Sequence, residues 1–309
     1  MKILIETPTW LGDSVMATPA IENLLSFYDK AEISIIGSPV SIEIFKNHPK
    51  ITKIKALERR YLSLYRISKN LGKFDVFFSF RNSFRSRAFK FLISSNKKFQ
   101  FNSNNYKDIH LVEKYNGFIN DSLNTSFDAG KLIIKSSLNS NPRKLNKVFG
   151  INPGASYGDA KRWYPEEFAK VAIAISPQYD IIIFGGPSDK KNADLIESLL
   201  IESGVSNYQN IAGLTSVSEL VSKISDLDFF LTGDSGPMHV AASFQVPTIS
   251  IFGPTKDSET SQWMNQKSII LKKKLDCQPC MKRTCPLSHH NCMKLIKSED
   301  VLNALSAIN

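Results

Sequence analysis

The chain passes twice through the same alternation of short apolar runs and helical stretches, and this rhythm constrains its fold more than any other feature. In the first pass, an apolar strand at residues 2–7 leads through a turn at 10–13 into helical spacing of apolar residues over 14–27. Further strands are predicted at 32–37 and 74–80. Such alternation predicts a parallel sheet with helices on both faces.

The rhythm restarts after residues 136–147, a stretch rich in Ser, Asn, Pro and Lys that predicts a linker. At 309 residues the chain exceeds what one core usually organises, so we expect two domains, 1–147 and 148–309. In an alternative arrangement of these domains, the last helix of the chain packs back on the first domain. The predicted elements of the second half are strands at 148–152, 179–184, 228–232 and 248–252 and helices at 165–175, 189–203 and 216–225.

The net charge of +10 is concentrated in the first half of the chain. Residues 1–150 carry 24 Lys and Arg against 12 Asp and Glu, whereas residues 151–309 carry 15 against 17. Residues 53–107 alone hold 14 basic and 2 acidic side chains. This excess favours an anionic partner at the first half, and the alternative is an ordinary solvated surface.

Composition and hydropathy indicate a globular protein of the cytoplasm. Hydrophobic residues make up 42% of the chain and charged residues 22%, which predicts a packed core. Glu6 and Pro8 interrupt any signal-like apolar stretch at the start. No apolar run approaches the roughly 18 to 20 residues that a membrane span requires. We therefore expect a cytoplasmic location, at most peripheral on the inner face of the inner membrane.

Two polar, glycine-bearing loops follow predicted strands of the second half, at residues 152–163 and 232–239. Parallel strands bring such loops to one edge of the sheet, where nucleotides bind. Lys161 could neutralise a diphosphate and Ser156 could donate a hydrogen bond to it. The alternatives are solvated surface for Lys161 and a plain turn with Asp234 as helix cap. Neither half contains a G-x-G-x-x-G or G-x-x-x-x-G-K-[ST] fingerprint after a strand, which weakens NAD-type and P-loop interpretations.

Asp13 follows the first predicted strand directly. A carboxylate there could take a proton from an attacking hydroxyl as a general base. The alternative is an N-cap for a helix that begins near Ser14, a position that aspartate fills well.

Four cysteines lie within sixteen residues, with His289 and His290 nearby. Such a cluster could hold a structural zinc ion. Its spacing departs from the two-pair pattern of common zinc ribbons, and the alternative is a loop of reduced thiols or one disulfide. The proposed ligands are Cys277, Cys280, Cys285 and Cys292.

These motifs together resemble the ADP-heptose:lipopolysaccharide heptosyltransferases of glycosyltransferase family 9. The matching segments span nearly the whole chain in order, which makes chance similarity an unsatisfactory explanation. They are residues 9–20, 82–86, 153–155, 160–163, 233–242, 252–255 and 277–293.

The resemblance implies an α/β fold of the GT-B class, with two doubly wound Rossmann-like domains facing across a cleft. It also implies an inverting transfer with no cofactor required for catalysis, and an ADP-heptose donor bound mainly by the C-terminal domain. Asp13 then matches the catalytic base and Lys161 the phosphate-binding lysine. The other positions that we assign to donor binding are Ser156, Asp234, Ser235, Gly236, Met238 and His239.

The acceptor that the resemblance implies explains the basic segment, because a lipid A core carries phosphates and Kdo carboxylates. Arginine forks match such anions well. Arg81, Ser83, Arg85 and Arg87 follow the end of a predicted strand and are the candidate acceptor contacts. The positive charge of this basic segment could also hold the enzyme on an anionic membrane surface.

The function predicted is transfer of heptose from ADP-L-glycero-D-manno-heptose to the heptosyl-Kdo-lipid A inner core of lipopolysaccharide. One alternative is a family member with a different acceptor position or polysaccharide. Another is a basic nucleic-acid-binding protein, although no helix-turn-helix, RNA-recognition or finger signature accompanies the charge, and we expect no nucleic-acid partner. A third is a sugar-nucleotide-binding module without catalysis, which the presence of Asp13 disfavours.

Overall fold

The computed structural model describes residues 1–58, 61–135 and 146–308. The chain forms two compact units, Met1–Ser137 and Leu138–Asn309. Each unit contains a parallel sheet with helices, as the alternation predicted. Most of the predicted linker, residues 136–145, lies outside the described residues.

The first unit is built on a five-stranded sheet in the order β3-β2-β1-β4-β5, with every described pairing parallel. Three of its strands have almost fully buried apolar side chains because helices cover them. The elements are β1 (Lys2–Glu6), α1 (Leu11–Met16), α2 (Thr18–Phe27), β2 (Glu32–Gly37), α3 (Pro39–Ile42), β3 (Ile51–Ala56), α4 (Tyr61–Leu71), β4 (Lys73–Ser79), α5 (Phe84–Leu92), β5 (Ser94–Gln100) and α6 (Leu111–Leu123).

The helix predicted over residues 14–27 is two helices, α1 and α2, that meet at Ala17. A continuous helix would need the amide of residue 19 to donate to the carbonyl of Val15, and Pro19 has no amide hydrogen. The hydroxyl of Thr18 donates to that carbonyl instead, at 2.7 Å. The sequence therefore breaks the helix without changing its apolar spacing, and this part of the prediction was wrong.

The second unit is built on a six-stranded parallel sheet in the order β11-β10-β9-β6-β7-β8. Its predicted strands and helices are confirmed to within one or two residues. The elements are β6 (Lys147–Asn152), α7 (Pro165–Ile175), β7 (Tyr179–Ile183), α8 (Lys190–Glu202), β8 (Tyr208–Asn210), α9 (Val217–Ser225), β9 (Phe229–Gly233), α10 (Gly236–Ser243), β10 (Thr248–Ile251), α11 (Asp257–Thr260), β11 (Ser268–Leu271), α12 (Asn291–Lys294) and α13 (Ser298–Ile308).

Each unit has its own apolar core. In the first, Leu4 and Phe77 pack with side chains of α4 and α5. In the second, Phe149 and Phe229 stack with ring centroids 5.2 Å apart, and α13 contributes Val301 to the same core. That helix packs against α7, β10 and β11. In the part of the chain that is described, no helix is both long and apolar enough to cross a membrane.

Candidate functional site

Each sheet has one point at which the strand order reverses, and the predicted site residues lie beside both points. In the first unit the chain moves from β1 to β2 and β3 and then returns to place β4 on the other side of β1. In the second unit it moves from β6 to β7 and β8 before β9 pairs with β6. Loops that diverge at such a switch point leave a crevice at the carboxyl ends of the strands, where ligands bind.

At the switch point of the second unit, the loop after β6 brings Lys161 onto the loop after β9. Lys161 Nζ lies 2.5 Å from Asp234 Oδ2, and both side chains are largely buried. The hydroxyl of Thr255, in the loop after β10, donates to the same carboxylate oxygen at 2.6 Å. Three neighbouring loops thus converge on one buried carboxylate. This carboxylate does not cap α10, so that alternative for Asp234 is wrong.

The helix α10 begins beside this ion pair, with Ser235 as its N-cap residue and no side-chain cap. The hydroxyl of Ser235 lies 3.0 Å from Thr232 Oγ1 and accepts a hydrogen bond from Asn152 Nδ2 at 3.2 Å. The start of α10, with its backbone amides and positive dipole end, therefore faces the same edge as Lys161. Amides placed in this way suit a phosphate.

The remaining predicted donor residues differ in their access to that edge. Ser156 is exposed in the loop after β6, and Gly236 is half-buried at the first position of α10. Met238 and His239 are buried within α10. Thr255 and Asn152 belong to the cluster but were not among the predicted site residues. The sequence signal that could have identified both is a polar residue at or just after the end of a buried strand.

At the switch point of the first unit, Asp13 lies in the first turn of α1 and is half-buried. The N-cap of this helix is Trp10, so Asp13 does not cap it, and the capping alternative is wrong. Tyr115 of α6 lies close enough for the negative charge of Asp13 to act on it. Burial raises the pKa of the Tyr115 hydroxyl well above its ordinary value, and the charge of Asp13 adds a smaller effect in the same direction.

A buried carboxylate that was not among the predicted site residues lies beneath this edge. Glu6 ends β1, and its Oε2 accepts hydrogen bonds from Ser79 at 2.6 Å and Ser86 at 2.5 Å. Burial holds the pKa of the Glu6 carboxyl above its ordinary value. The two hydroxyls and the nearby charges of Arg81 and Arg85 act in the opposite direction and offset only part of this effect. Glu6 thus joins the ends of β1 and β4 to α5.

The four predicted acceptor residues lie together at the end of β4 and the start of α5. Arg81 Nη1 lies 3.5 Å from Glu6 Oε1, and the guanidinium of Arg85 donates to the carbonyl of Glu58.

The other two predicted acceptor residues are held by contacts within the same segment. Arg87 Nε donates to Asn82 Oδ1 at 3.2 Å. Ser83 caps α5 by accepting from the amide of Ser86 at 3.2 Å.

The four cysteines are free thiols around one small cavity of the second unit, together with His289 and His290. Burial and the neighbouring thiols raise the pKa of Cys292 to about 11. Among the described residues, however, no group of three or more His, Cys, Asp or Glu side chains is placed to hold a metal ion. Apolar side chains share the cavity wall with the thiols, and a structural zinc ion at Cys277, Cys280, Cys285 and Cys292 stays a prediction.

Comparison with known sequences gives a consistent result over the whole chain. Residues 65–291 match the model of glycosyltransferase family 9 (heptosyltransferase). Lipooligosaccharide heptosyltransferase 2 of Campylobacter jejuni serotype O:2 is 41% identical over 98% of this chain and 96% of its own length. Lipopolysaccharide heptosyltransferase 2 of Escherichia coli strain K12 is 23% identical over 100% and 98% respectively.

Solved structures share the fold of both units. The structure of E. coli ADP-heptose lps heptosyltransferase II superposes with a TM-score of 0.77 and 21% identity, covering 100% of this chain and 98% of that one. E. coli heptosyltransferase WaaC with ADP gives 0.77 and 14% identity, with full coverage of both chains. This likeness confirms the predicted GT-B fold class.

Proposed function

Because the chain belongs to glycosyltransferase family 9, the heptosyltransferases, we propose that it transfers heptose from ADP-L-glycero-D-manno-heptose to the heptosyl-Kdo-lipid A inner core of lipopolysaccharide. This is the activity of a heptosyltransferase II. The C. jejuni relative named lipooligosaccharide heptosyltransferase 2 supports this choice within the family. Membership of a glycosyltransferase family also sets aside the nucleic-acid-binding alternative.

The observation that carries the proposal is the junction of Lys161, Asp234 and Thr255 beside the start of α10. A lysine held by a buried carboxylate is fixed in position before any ligand arrives. Fixed positive charge and helix amides can stabilise the negative charge that grows on a leaving diphosphate. We assign the diphosphate of the donor to this junction, with Ser156, Ser235 and Gly236 at its edge.

In the proposed reaction, Asp13 removes the proton from an acceptor hydroxyl while the oxygen of that hydroxyl forms a bond to the anomeric carbon of the donor. The bond from that carbon to the β-phosphate oxygen breaks, and ADP leaves with the electron pair. Attack opposite the leaving group inverts the configuration at carbon. Lys161 and the start of α10 carry the growing charge on ADP.

We place the acceptor beside the first unit, whose basic side chains suit an anionic saccharide. Arg87 is exposed, and Arg85 is half-buried near the start of α5. Both can offer guanidinium hydrogens to phosphate or carboxylate groups. Arg81 contacts Glu6, which fixes its direction while leaving further donors on the guanidinium.

The helix α5 also supports attachment to an anionic membrane surface. Phe84 and Phe91, seven residues apart on one face, are 78% and 87% exposed. Arg87 shares this face, because residues three and four apart are neighbours on a helix. Exposed aromatic rings beside cations are typical of segments that lie at the interface of anionic membranes. We propose a peripheral location of this kind, with α5 as the contact.

Calorimetric titration with ADP, UDP, GDP and NAD tests the donor assignment. We expect the protein to bind ADP in preference to the other three. Replacing Lys161 by Ala should weaken ADP binding about tenfold or more, because one charge-assisted contact to phosphate is lost. A matched control is Lys170→Ala, which removes an exposed lysine of α7 and should leave ADP binding unchanged. Equal affinity for all four nucleotides would refute the proposal.

A further inference from the structure

The segment 277–292, here called the cysteine loop, is attached to the loop that carries Lys161. The amide of Ala160 donates to the carbonyl of Arg283 at 3.0 Å, and His290 Nε2 lies 3.0 Å from the carbonyl of Ala160. The hydroxyl of Tyr157 donates to the carbonyl of Met281 at 2.7 Å. These contacts fix the backbone of the cysteine loop against the predicted donor site.

Gly158 permits this close approach of two backbones. A Cβ atom added at Gly158 would lie only 2.4 Å from the carbonyl oxygen of Arg283. Any other residue at 158 would therefore push the cysteine loop away. The position of Arg283 is thus determined by backbone contacts from both Gly158 and Ala160.

The side chain of Arg283 shares an aromatic platform with Lys161. The guanidinium carbon of Arg283 lies 5.4 Å from the centroid of the Tyr157 ring, and Lys161 Nζ lies 4.8 Å from the same centroid. Cations within about 6 Å of a ring centroid are attracted to the ring. Tyr157 therefore holds two positive groups at the same edge.

Two of the cations at this edge are already paired with carboxylates of the protein. Lys161 is already paired with the buried carboxylate of Asp234. Arg162 is paired with Asp159 and Asp189. Within the described part of the chain, Arg283 forms no ion pair with a carboxylate, and its side chain is exposed. It is the cation beside Lys161 whose charge the protein does not itself neutralise.

We infer that Arg283 is a second phosphate-binding cation of the donor site, and that the cysteine loop serves to present it beside Lys161. The inference rests on the proposed function, because it takes the diphosphate of ADP as the ligand. Arg283 adds a guanidinium fork to the point charge of Lys161. Such a fork pairs with two phosphate oxygens through parallel hydrogen bonds in a fixed geometry, whereas the ammonium of a lysine acts as a point charge.

Calorimetry with ADP and with adenosine tests this role, using Arg283→Gln and Arg283→Ala. We expect either substitution to weaken ADP binding about tenfold, as loss of one charge-assisted phosphate contact predicts. Adenosine binding should be unchanged, since adenosine has no phosphate. Folding should survive, because the contacts of Arg283 with Ala160 and Gly158 involve its backbone. Thermal unfolding of each variant verifies this.

Lys282→Ala is the matched control, because it removes an adjacent exposed charge from the same loop. If Lys282→Ala weakens ADP binding as much as Arg283→Gln, the effect is one of general charge and the inference is wrong. Equal losses for ADP and adenosine would assign Arg283 a structural role and also overturn it. If the unmodified protein fails to bind ADP, the proposed function fails instead, so the two failures are distinguishable.

Discussion

At the scale of single residues, the proposed chemistry depends on Asp13, a carboxylate that does not cap the helix in which it lies. Asp13 lies in the first turn of α1, but Trp10 is the N-cap residue and no side chain caps the helix. An aspartate in a first turn contributes about 0.3–1 kcal/mol through the helix dipole. Removing it should therefore affect the reaction much more than the fold.

Asp13→Ala tests this separation of roles. We expect turnover to fall by a factor of about 100 or more, as loss of a general base predicts. ADP binding should be retained, because the predicted donor contacts lie in the second unit. Asp29→Ala, which removes an exposed carboxylate of the same unit, is the control and should retain full activity. Unchanged turnover in Asp13→Ala would show that another group accepts the proton.

Single residues also show where sequence reasoning stopped. Asp13, Lys161 and Asp234 were predicted as site residues because each lies in a loop after a predicted strand and matches a motif of the family that the chain resembles. The direct contact between Lys161 and Asp234, at 2.5 Å, was not predictable, because 73 positions separate them. Arg283 was missed for the same reason, since only the folded chain brings it to Tyr157. Contacts between distant loops produce no periodic pattern in a sequence.

At the scale of secondary structure, the apolar pattern predicted the seven inner strands of the two sheets, because each run is short, buried and bounded by turns. It missed the four edge strands β3, β5, β8 and β11, whose side chains are half-buried or exposed. The pattern failed at Pro19, where a missing amide hydrogen divides one predicted helix into α1 and α2. It also did not predict that α5 leaves two phenylalanines exposed. Two exposed aromatic rings on one face of a helix form an apolar patch, and such patches are typical of interaction sites.

We expect α5 to bind anionic membranes through these rings. Replacing Phe84 and Phe91 together by Ser should reduce sedimentation with phosphatidylglycerol vesicles about tenfold or more, because each ring loses its burial in lipid. Vesicles of phosphatidylcholine should bind weakly in every case. Ile201→Ser, which removes a 60% exposed apolar side chain from α8 in the other unit, is the control. Unaltered binding of the double variant would exclude α5 as the membrane contact.

At the scale of the whole molecule, charge and chemistry divide between the two units. The excess positive charge belongs to the first half of the chain, where we propose that the anionic acceptor binds. The second half is nearly balanced in charge, and its positive groups at the predicted donor site are individually positioned by Asp234 and Tyr157. The domain boundaries 1–147 and 148–309 and the return of the last helix to the first domain remain predictions.

The measurement that tests the central claim most directly is heptose transfer by the purified full chain. The protein is incubated with ADP-L-glycero-D-manno-heptose and either heptosyl-Kdo-lipid A or Kdo-lipid A. The masses of the products are then measured by mass spectrometry. We predict that one heptose is added to heptosyl-Kdo-lipid A, with release of one ADP, and none to Kdo-lipid A. Transfer only to Kdo-lipid A, or no transfer to either acceptor, would contradict the account.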